Sequence, residues 1–295
     1  MKKFPPLLML ALCSILLYNC HVTSCKQAQD EESVLAVLYQ QQAGEYRALC
    51  LQAYNIARER IDTALKRDSV AKAQHKQGLK PLAIITDLDE TALDNSESEA
   101  MFYKNDTNAT FALLHDWWLQ GKAKAVPGAV DFFNYAKSKG VHIYYISNRS
   151  VDVIDSTRTN MHRLGFPYTD SAKNDVVFRF LSTSVPTKQG RRDTVAMKDS
   201  VIVFLGDNLI DLDKAFDEIP SKFPPKLTYL TSEQRQRKVD SIKNKWGYKY
   251  IVFPNAIYGD WESALYDKFR AEHKGNAPGA IAQKITIRQW GLKTP

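Results

Sequence analysis

The sequence predicts an α/β fold with a central parallel sheet covered by helices on both faces. Two observations carry this. Five short apolar runs recur along the 295-residue chain, and helical patterns separate most of them. The runs are apolar throughout rather than alternating, as in parallel strands buried on both faces. Three of them end in polar residues, Asp87, Ser147 and Asp207. Ligands of such sheets bind beyond the carboxyl ends of the strands.

The chain opens on Lys2 and Lys3, followed by an apolar run from Leu7 to Tyr18. That run is short of the roughly 20 residues of a membrane span and matches the core of a secretory signal. Val22-Thr23-Ser24-Cys25 resembles a bacterial lipobox, which makes residues 1–24 a lipoprotein signal peptide and Cys25 the lipidated residue. Cys20, preceded by bulky Tyr18 and Asn19, is the alternative, and a plain signal peptide is the rival reading. Residues 25–32 read as a tether to a surface of the membrane. Cys13 leaves with the signal, so Cys50 has no clear partner and reads as a small core residue.

From Ser33 to about Lys66 the pattern is helical. Leu49, Ala53, Ile56, Ala57, Ile61 and Ala64 form one apolar face, and Gly44 divides the stretch in two. Residues 67–80 read as a polar connector. Leu82–Ile85 is the first strand and ends at Thr86-Asp87. The stretch from about 95 to 125 is long for a simple crossover and carries Phe102, Tyr103, Phe111, Trp117 and Trp118, so it is expected to form a helical cap. A helix follows from Pro127 to Lys139, with proline in its first turn and Gly140 at its stop. His142–Ile146, Val176–Phe180, Val201–Leu205 and Tyr250–Phe253 are the remaining strands.

The formal net charge is +7. It favours anionic ligands within a Debye length of about 8 Å, without choosing among phosphate esters, nucleic acid and membrane. The basic residues are scattered. Lys222, Lys226, Arg235, Arg237, Lys238, Lys243 and Lys245 read as a solvated face, and no nucleic-acid partner is expected.

Asp87-Leu88-Asp89-Glu90-Thr91 places two carboxylates two residues apart after a strand, so that in extended backbone both point toward one site. Close carboxylates repel unless a cation intervenes, and magnesium takes such oxygen ligands. Asp207 brings a third carboxylate from another strand. Each element alone has a plainer reading. Asp-x-Asp can cap a helix, as can Ser147 and Asp211, and Lys188 can belong to a solvated cluster with Arg191 and Arg192.

Taken in order, Asp87-x-Asp89, Ser147, Lys188 and Gly206-Asp207-Asn208 resemble the four motifs of the haloacid dehalogenase superfamily. Residues 85–91 and 206–211 are similar to the two signatures of its class C acid phosphatases, which include outer-membrane lipoprotein 5′-nucleotidases. The segments 125–129, 147–149, 52–55 and 254–259 also resemble that family, over about residues 45–270 in all. Ser98 and Leu212 stand where the family has aromatic residues.

The resemblance implies a three-layer Rossmann-like fold and one phosphatase domain over residues 33–295. It further implies a magnesium-dependent phosphomonoesterase acting outside the cytoplasm, with a nucleoside monophosphate as the favoured substrate. Asp87 would be the nucleophile and Asp89 the general acid and base. Magnesium would be bound by Asp87, the Asp89 main-chain carbonyl and Asp207. Ser147, Asn148 and Lys188 would bind the phosphoryl group, and Asp211 would orient the metal shell or Lys188. Trp117 and Tyr258 would stack a base, with packing in the cap as the alternative for Trp117. A phosphotransferase of the same mechanism and a non-catalytic surface-binding lipoprotein are the competing readings.

Overall fold

The computed structural model describes residues 34–104, 111–169, 178–181, 187–216, 219–220, 227–228 and 230–272. The signal segment, Cys20, Cys25 and the tether lie outside the described residues. So do Val176 and Val177 of the third expected strand, and Lys222 and Lys226. Among the described residues no helix is long and apolar enough to cross a membrane.

A five-stranded parallel sheet forms the centre. Its strands are β1 (Leu82–Thr86), β4 (His142–Ser150), β5 (Phe178–Leu181), β6 (Ser200–Gly206) and β9 (Tyr250–Val252), in the order β5-β4-β1-β6-β9. After β1 the chain moves outward through β4 and β5, then returns to the other side of β1 for β6 and β9. Strand β1 therefore stands at the point where strand order reverses, where open α/β sheets form their ligand crevice.

Successive side chains of the inner strands enter opposite layers, as the period of two requires. Ile84, Ile143 and Tyr145 join one core, while Ala83, Ile85, Tyr144 and Ile146 join the other. The first core is closed by helices α2 (Gly44–Ala73), α5 (Ala129–Ser138) and α6 (Ile154–Arg163), the second by α7 (Lys188–Ala196). Aromatic rings fill the first core. Phe133 packs edge-on against Tyr54, Phe132 and Tyr145, with centroids 5.1–5.9 Å apart. Cys50 is buried and free there, as expected.

The stretch does divide into two helices, α1 over residues 34–42 and α2, but the break falls at extended Ala43 and Gly44 is the first residue of α2. Helix α2 runs two turns past Lys66, however, through the stretch expected to be a connector. Nothing from Arg67 to Ala73 breaks a helix, Lys72 pairs with Asp68 one turn earlier at 2.7 Å, and the stop comes only at His75 and Gly78.

Residues 93–125 leave and rejoin the domain through a small antiparallel ladder, β2 (Leu93–Asp94) with β3 (Lys124–Ala125). Between them lie α3 (Ser96–Lys104) and α4 (Phe111–Gln120). A second small ladder pairs β7 (Ile219–Pro220) with β8 (Leu227–Thr228), and α8 (Ser232–Ser241) packs with α9 (Asp260–Glu272).

Helix α5 begins at Ala129, two residues later than expected. Pro127 stays outside, because Gly128 takes a left-handed conformation, φ 87°, at the N-cap. A Cβ there would meet Leu51 Cδ2 at 3.0 Å and Tyr54 Cδ2 at 3.2 Å. Gly128→Ala is expected to lower stability by about 1–3 kcal/mol through strain and overpacking. Equilibrium denaturation in urea reads this as a lower midpoint at unchanged slope.

Candidate functional site

The site lies at the carboxyl ends of β1, β4 and β6. Asp87 follows β1, and its amide donates to Leu205 O of β6 at 2.9 Å, fixing it against the neighbouring strand. The chain then reverses sharply. The amides of Ala92 and Leu93 donate to Leu88 O at 2.8 and 2.7 Å, and Glu90 adopts φ 54°, a left-handed conformation rare for its type. The Glu90 carboxylate accepts from the Asn95 amide at 2.8 Å and closes the turn. Tyr54 of α2 buttresses the turn from below by donating to Thr91 O at 2.5 Å.

Lys188 opens α7, whose N-cap is Thr187. Its buried ammonium lies 2.8 Å from Asp87 Oδ1 and also pairs with Asp211. Asp211 sits in the short turn Leu209–Asp211 after β6, where Asn208 and Asp211 cap one another reciprocally. This requires Gly206, because a Cβ there would lie 2.4 Å from Asp211 Cβ. Asp207 accepts from Thr91 Oγ1 at 3.3 Å and from Asn255 Nδ2 at 2.9 Å. Oxygens of Asp87, Asp207 and Asp211 all lie within 4.8 Å of one another.

Three carboxylates around one ammonium leave an excess of negative charge. Burial raises Asp87 well above the usual carboxylate range, and repulsion from Asp211 adds to this against the pull of Lys188. Burial and Asp211 likewise push Asp207 up to about 7. Burial alone would lower Lys188, but Asp211 and Asp87 hold it above its ordinary value. Asp87 Oδ1 is buried and accepts no hydrogen bond of good geometry, although the Lys188 charge lies close. A donor set of this kind fits a divalent cation bound by hard oxygens.

The Asp89 carboxylate is not part of this group. It turns toward Arg149, which reaches Oδ1 with Nη2 at 2.7 Å and with Nε at 3.1 Å, and Oδ2 with Nε at 3.2 Å. Asn95 Nδ2 donates to Asp89 Oδ1 at 2.8 Å, and Ser147 Oγ lies 3.4 Å from Oδ2. Burial alone would raise Asp89, but Arg149 and Asn95 hold it below the usual range. The tight turn gives the two carboxylates different partners, Lys188 for Asp87 and Arg149 for Asp89, with Ser147 against Asp89.

Ser147 is fully buried and lies within β4, which runs on to Ser150 rather than ending there. The pairing of β4 with β5 shifts register between Ile146 and Ser150, so the strand is irregular where it meets the site. Asn148 is exposed and accepts from Arg191 Nη2 at 2.6 Å. Tyr258 lines a cavity of about 1050 Å³ that also borders Asp207, Asn208, Arg235 and Trp261. Trp117 does not. It is 5% exposed in the main core, and its Nε1 donates to Asn95 Oδ1 at 2.9 Å. A ring so enclosed has no open face for a base; its work is to hold Asn95.

Arg149 and Asn95 stood in the sequence without an assigned role. Arg191 and Arg192 are buried rather than solvated, and donate to Ser147 O and Ile210 O, both at 2.5 Å. Their signal was the spacing from Lys188, three and four residues along a helix, which puts all three on one face. Arg235, expected on a solvated face, is also buried, with its Nη1 3.8 Å from Asp260 Oδ2 and its Nη2 3.4 Å from Asn208 Oδ1.

The raised carboxylates set a pH dependence. In the metal-free protein, Asp207 keeps its proton in the folded state up to about 7 and loses it near 4 when unfolded. Its stabilising contribution is full below the unfolded value and is lost as pH rises to about 7. Asp87 acts in the same direction. The melting temperature of the chelated protein is expected to fall, from this contribution, between pH 5 and 7.5. A divalent cation, which binds the ionised form, should raise it more at pH 7.5 than at pH 5. Calorimetry with and without magnesium checks both signs.

Comparison with known proteins agrees with this geometry. Residues 18–261 match the family model of the haloacid dehalogenase superfamily, subfamily IIIB, acid phosphatase. The class C acid phosphatase from Bacillus anthracis is 35% identical, with a TM-score of 0.74 over 90% of this chain and 99% of that one. The same enzyme with tungstate bound is likewise 35% identical, with a TM-score of 0.73 over 90% and 98%. Haloacid dehalogenase phosphatases use a divalent metal, and an acidic cluster able to hold one is present. The chain belongs to the class C acid phosphatases of haloacid dehalogenase subfamily IIIB and is a phosphomonoester hydrolase.

Proposed function

We propose that the protein is a magnesium-dependent acid phosphatase that prefers nucleoside 5′-monophosphates and works through an aspartyl-phosphate. The observation that carries this is the placement of Asp87 at the end of the central strand, between the Lys188 ammonium and the Asp207 and Asp211 carboxylates. Asp87, Asp207 and Asp211 would hold magnesium, with the Asp89 main-chain carbonyl as a further ligand. Bound there, the ion supplies positive charge against that of the nucleophile and the phosphoryl oxygens.

Asp87 attacks phosphorus, forming an acyl-phosphate as the ester P–O bond breaks. Asp89 gives a proton to the leaving alcohol. It then takes one from the water that attacks the acyl-phosphate, returning Asp87 and releasing phosphate. Ser147, Asn148 and Lys188 orient the phosphoryl group. Positioning and charge do most of the work in phosphoryl transfer. Tungstate, which one of the Bacillus anthracis structures binds, is a tetrahedral oxyanion like phosphate, and this supports an oxyanion site of the same kind here.

The leaving group is read from the cavity. Tyr258 and Trp261 offer rings beside Asp207 and Asn208. A nucleobase stacked on such a ring gains about 1–3 kcal/mol.

The opening segment supports export, with Cys25 carrying a lipid that anchors the enzyme at an outer membrane, on its periplasmic or surface face. Cys25→Ala is expected to move the protein from the membrane to the soluble fraction. Retention at the membrane would turn the assignment to Cys20 or to an uncleaved signal.

Purified protein with magnesium should release phosphate from 4-nitrophenyl phosphate, and from AMP with a higher kcat/KM than from glycerol phosphate. Asp87→Asn should lose at least about 10³-fold in kcat. EDTA should abolish turnover and magnesium restore it. Turnover that survives both the substitution and EDTA would refute the mechanism.

A further inference from the structure

Arg149 is one of the largest fully buried side chains of the described residues, and its charge is spent on one partner. Its guanidinium grips Asp89 through Nε and Nη2. The remaining nitrogen, Nη1, donates to Thr157 Oγ1 of α6 at 2.9 Å, and Trp118 of α4 covers the guanidinium with its ring 5.4 Å away. Asn95 takes a second grip on Asp89, and Trp117, also of α4, holds Asn95. The Asp89 carboxylate is thus clamped from two sides by groups seated on α4 and α6. An uncompensated buried arginine is costly, so this clamp is structurally determined rather than incidental.

We propose that Arg149 is the positioning residue for Asp89, setting the direction from which the acid meets the leaving-group oxygen. The proposal rests on the reading of Asp89 as general acid and base. A bidentate guanidinium fixes the plane of a carboxylate, which a lysine ammonium at the same place does not. With the two oxygens held in one plane, Oδ1 is taken up by Arg149 and Asn95, while Oδ2 lies on the side of Ser147, the residue read as binding the phosphoryl group. The clamp also ties that orientation to α4, so the segment carrying Trp117 and Trp118 takes part in catalysis without touching substrate.

A proton delivered to the leaving group matters most when that group is a poor one. Alkyl phosphates need it, and 4-nitrophenyl phosphate hardly does. With magnesium present, Arg149→Met should lower kcat/KM, which reports the step in which the alcohol leaves, by about 10²-fold on glycerol phosphate and by about threefold on 4-nitrophenyl phosphate. Slower hydrolysis of the shared aspartyl-phosphate lowers kcat on both esters and leaves that ratio unchanged. Arg149→Lys should lie between wild type and Arg149→Met, closer to Arg149→Met. An equal loss of kcat/KM on both esters would overturn the proposal, because it is the mark of a merely structural residue or of one that binds phosphate directly.

Should Arg149→Met fail to fold, Thr157→Val removes only the outer anchor. A loss of about threefold confined to the alkyl ester supports the proposal, and an unchanged ratio of the two esters overturns it. Asp89→Asn separates the two levels. Wild-type turnover in that variant would sink the acid–base reading and the positioning proposal with it. An inert Asp89→Asn beside an Arg149 series that does not discriminate between esters would sink the positioning alone.

Discussion

The buried ammonium of Lys188 governs how the site is built. It is the cation in contact with Asp87 and Asp211, and Asp207 completes the crowd of carboxylates around them. In a low-dielectric setting such crowding costs several kcal/mol unless charges are matched. Much local structure follows from it. Gly206 lacks a side chain so that Asp211 can lie over the strand end, Asn255 and Thr91 satisfy Asp207, and Thr187 caps the helix that delivers Lys188. The remaining imbalance is what a divalent cation and a phosphate dianion would resolve together.

The sheet explains why these groups meet. Asp87 and Asp207 end adjacent strands, and the ladder between those strands continues one bond further, from the Asp87 amide to Leu205 O. Ser147 belongs to the strand on the other side of β1. Arg191 and Arg192 then stitch α7 to the chain at both flanks, through Ser147 O and Ile210 O. A helix carrying three cations on one face would be unstable in isolation. Here each cation has a carboxylate or carbonyl waiting at the edge of the sheet.

The sheet and the acidic cluster were legible in the sequence because each depends on local pattern. An apolar run ending in Asp marks a buried strand and its functional tip with the same few residues. The Asp89 clamp was not legible, because it joins Asn95, Trp117, Arg149 and Thr157 from four separate parts of the chain, and the one of them in a family-like segment, Arg149, carried no sign of its partner. Trp117 shows the same limit. Its large ring suggests stacking, yet its fate is decided by the side of α4 on which it falls and by one amide oxygen within reach of its indole N–H. The start of α5 was misplaced for a related reason. The proline rule is statistical, while the left-handed turn at Gly128 is set by contact with Leu51 and Tyr54 of a helix far away in the chain.

Two aspartates separated by a single leucine are thereby given opposite surroundings. Burial, with repulsion from Asp211 behind it, pushes Asp87 toward its neutral form, whereas Asp89 faces an arginine and is held ionised. For the proposed nucleophile and general acid this is the reverse of what the first chemical step needs. A divalent cation held by Asp87, Asp207 and Asp211 would offset the burial and the repulsion that raise Asp87 and would favour the ionised form the proposed nucleophile needs. The ionised Asp89 already suits the second step, in which it draws a proton from water. The arriving phosphate dianion adds negative charge beside Asp89 and favours its protonation, which suits the first step. On this reading substrate charge sets the acid, the proton lost to the leaving alcohol leaves Asp89 ionised as the base, and the neighbours of each aspartate divide the labour.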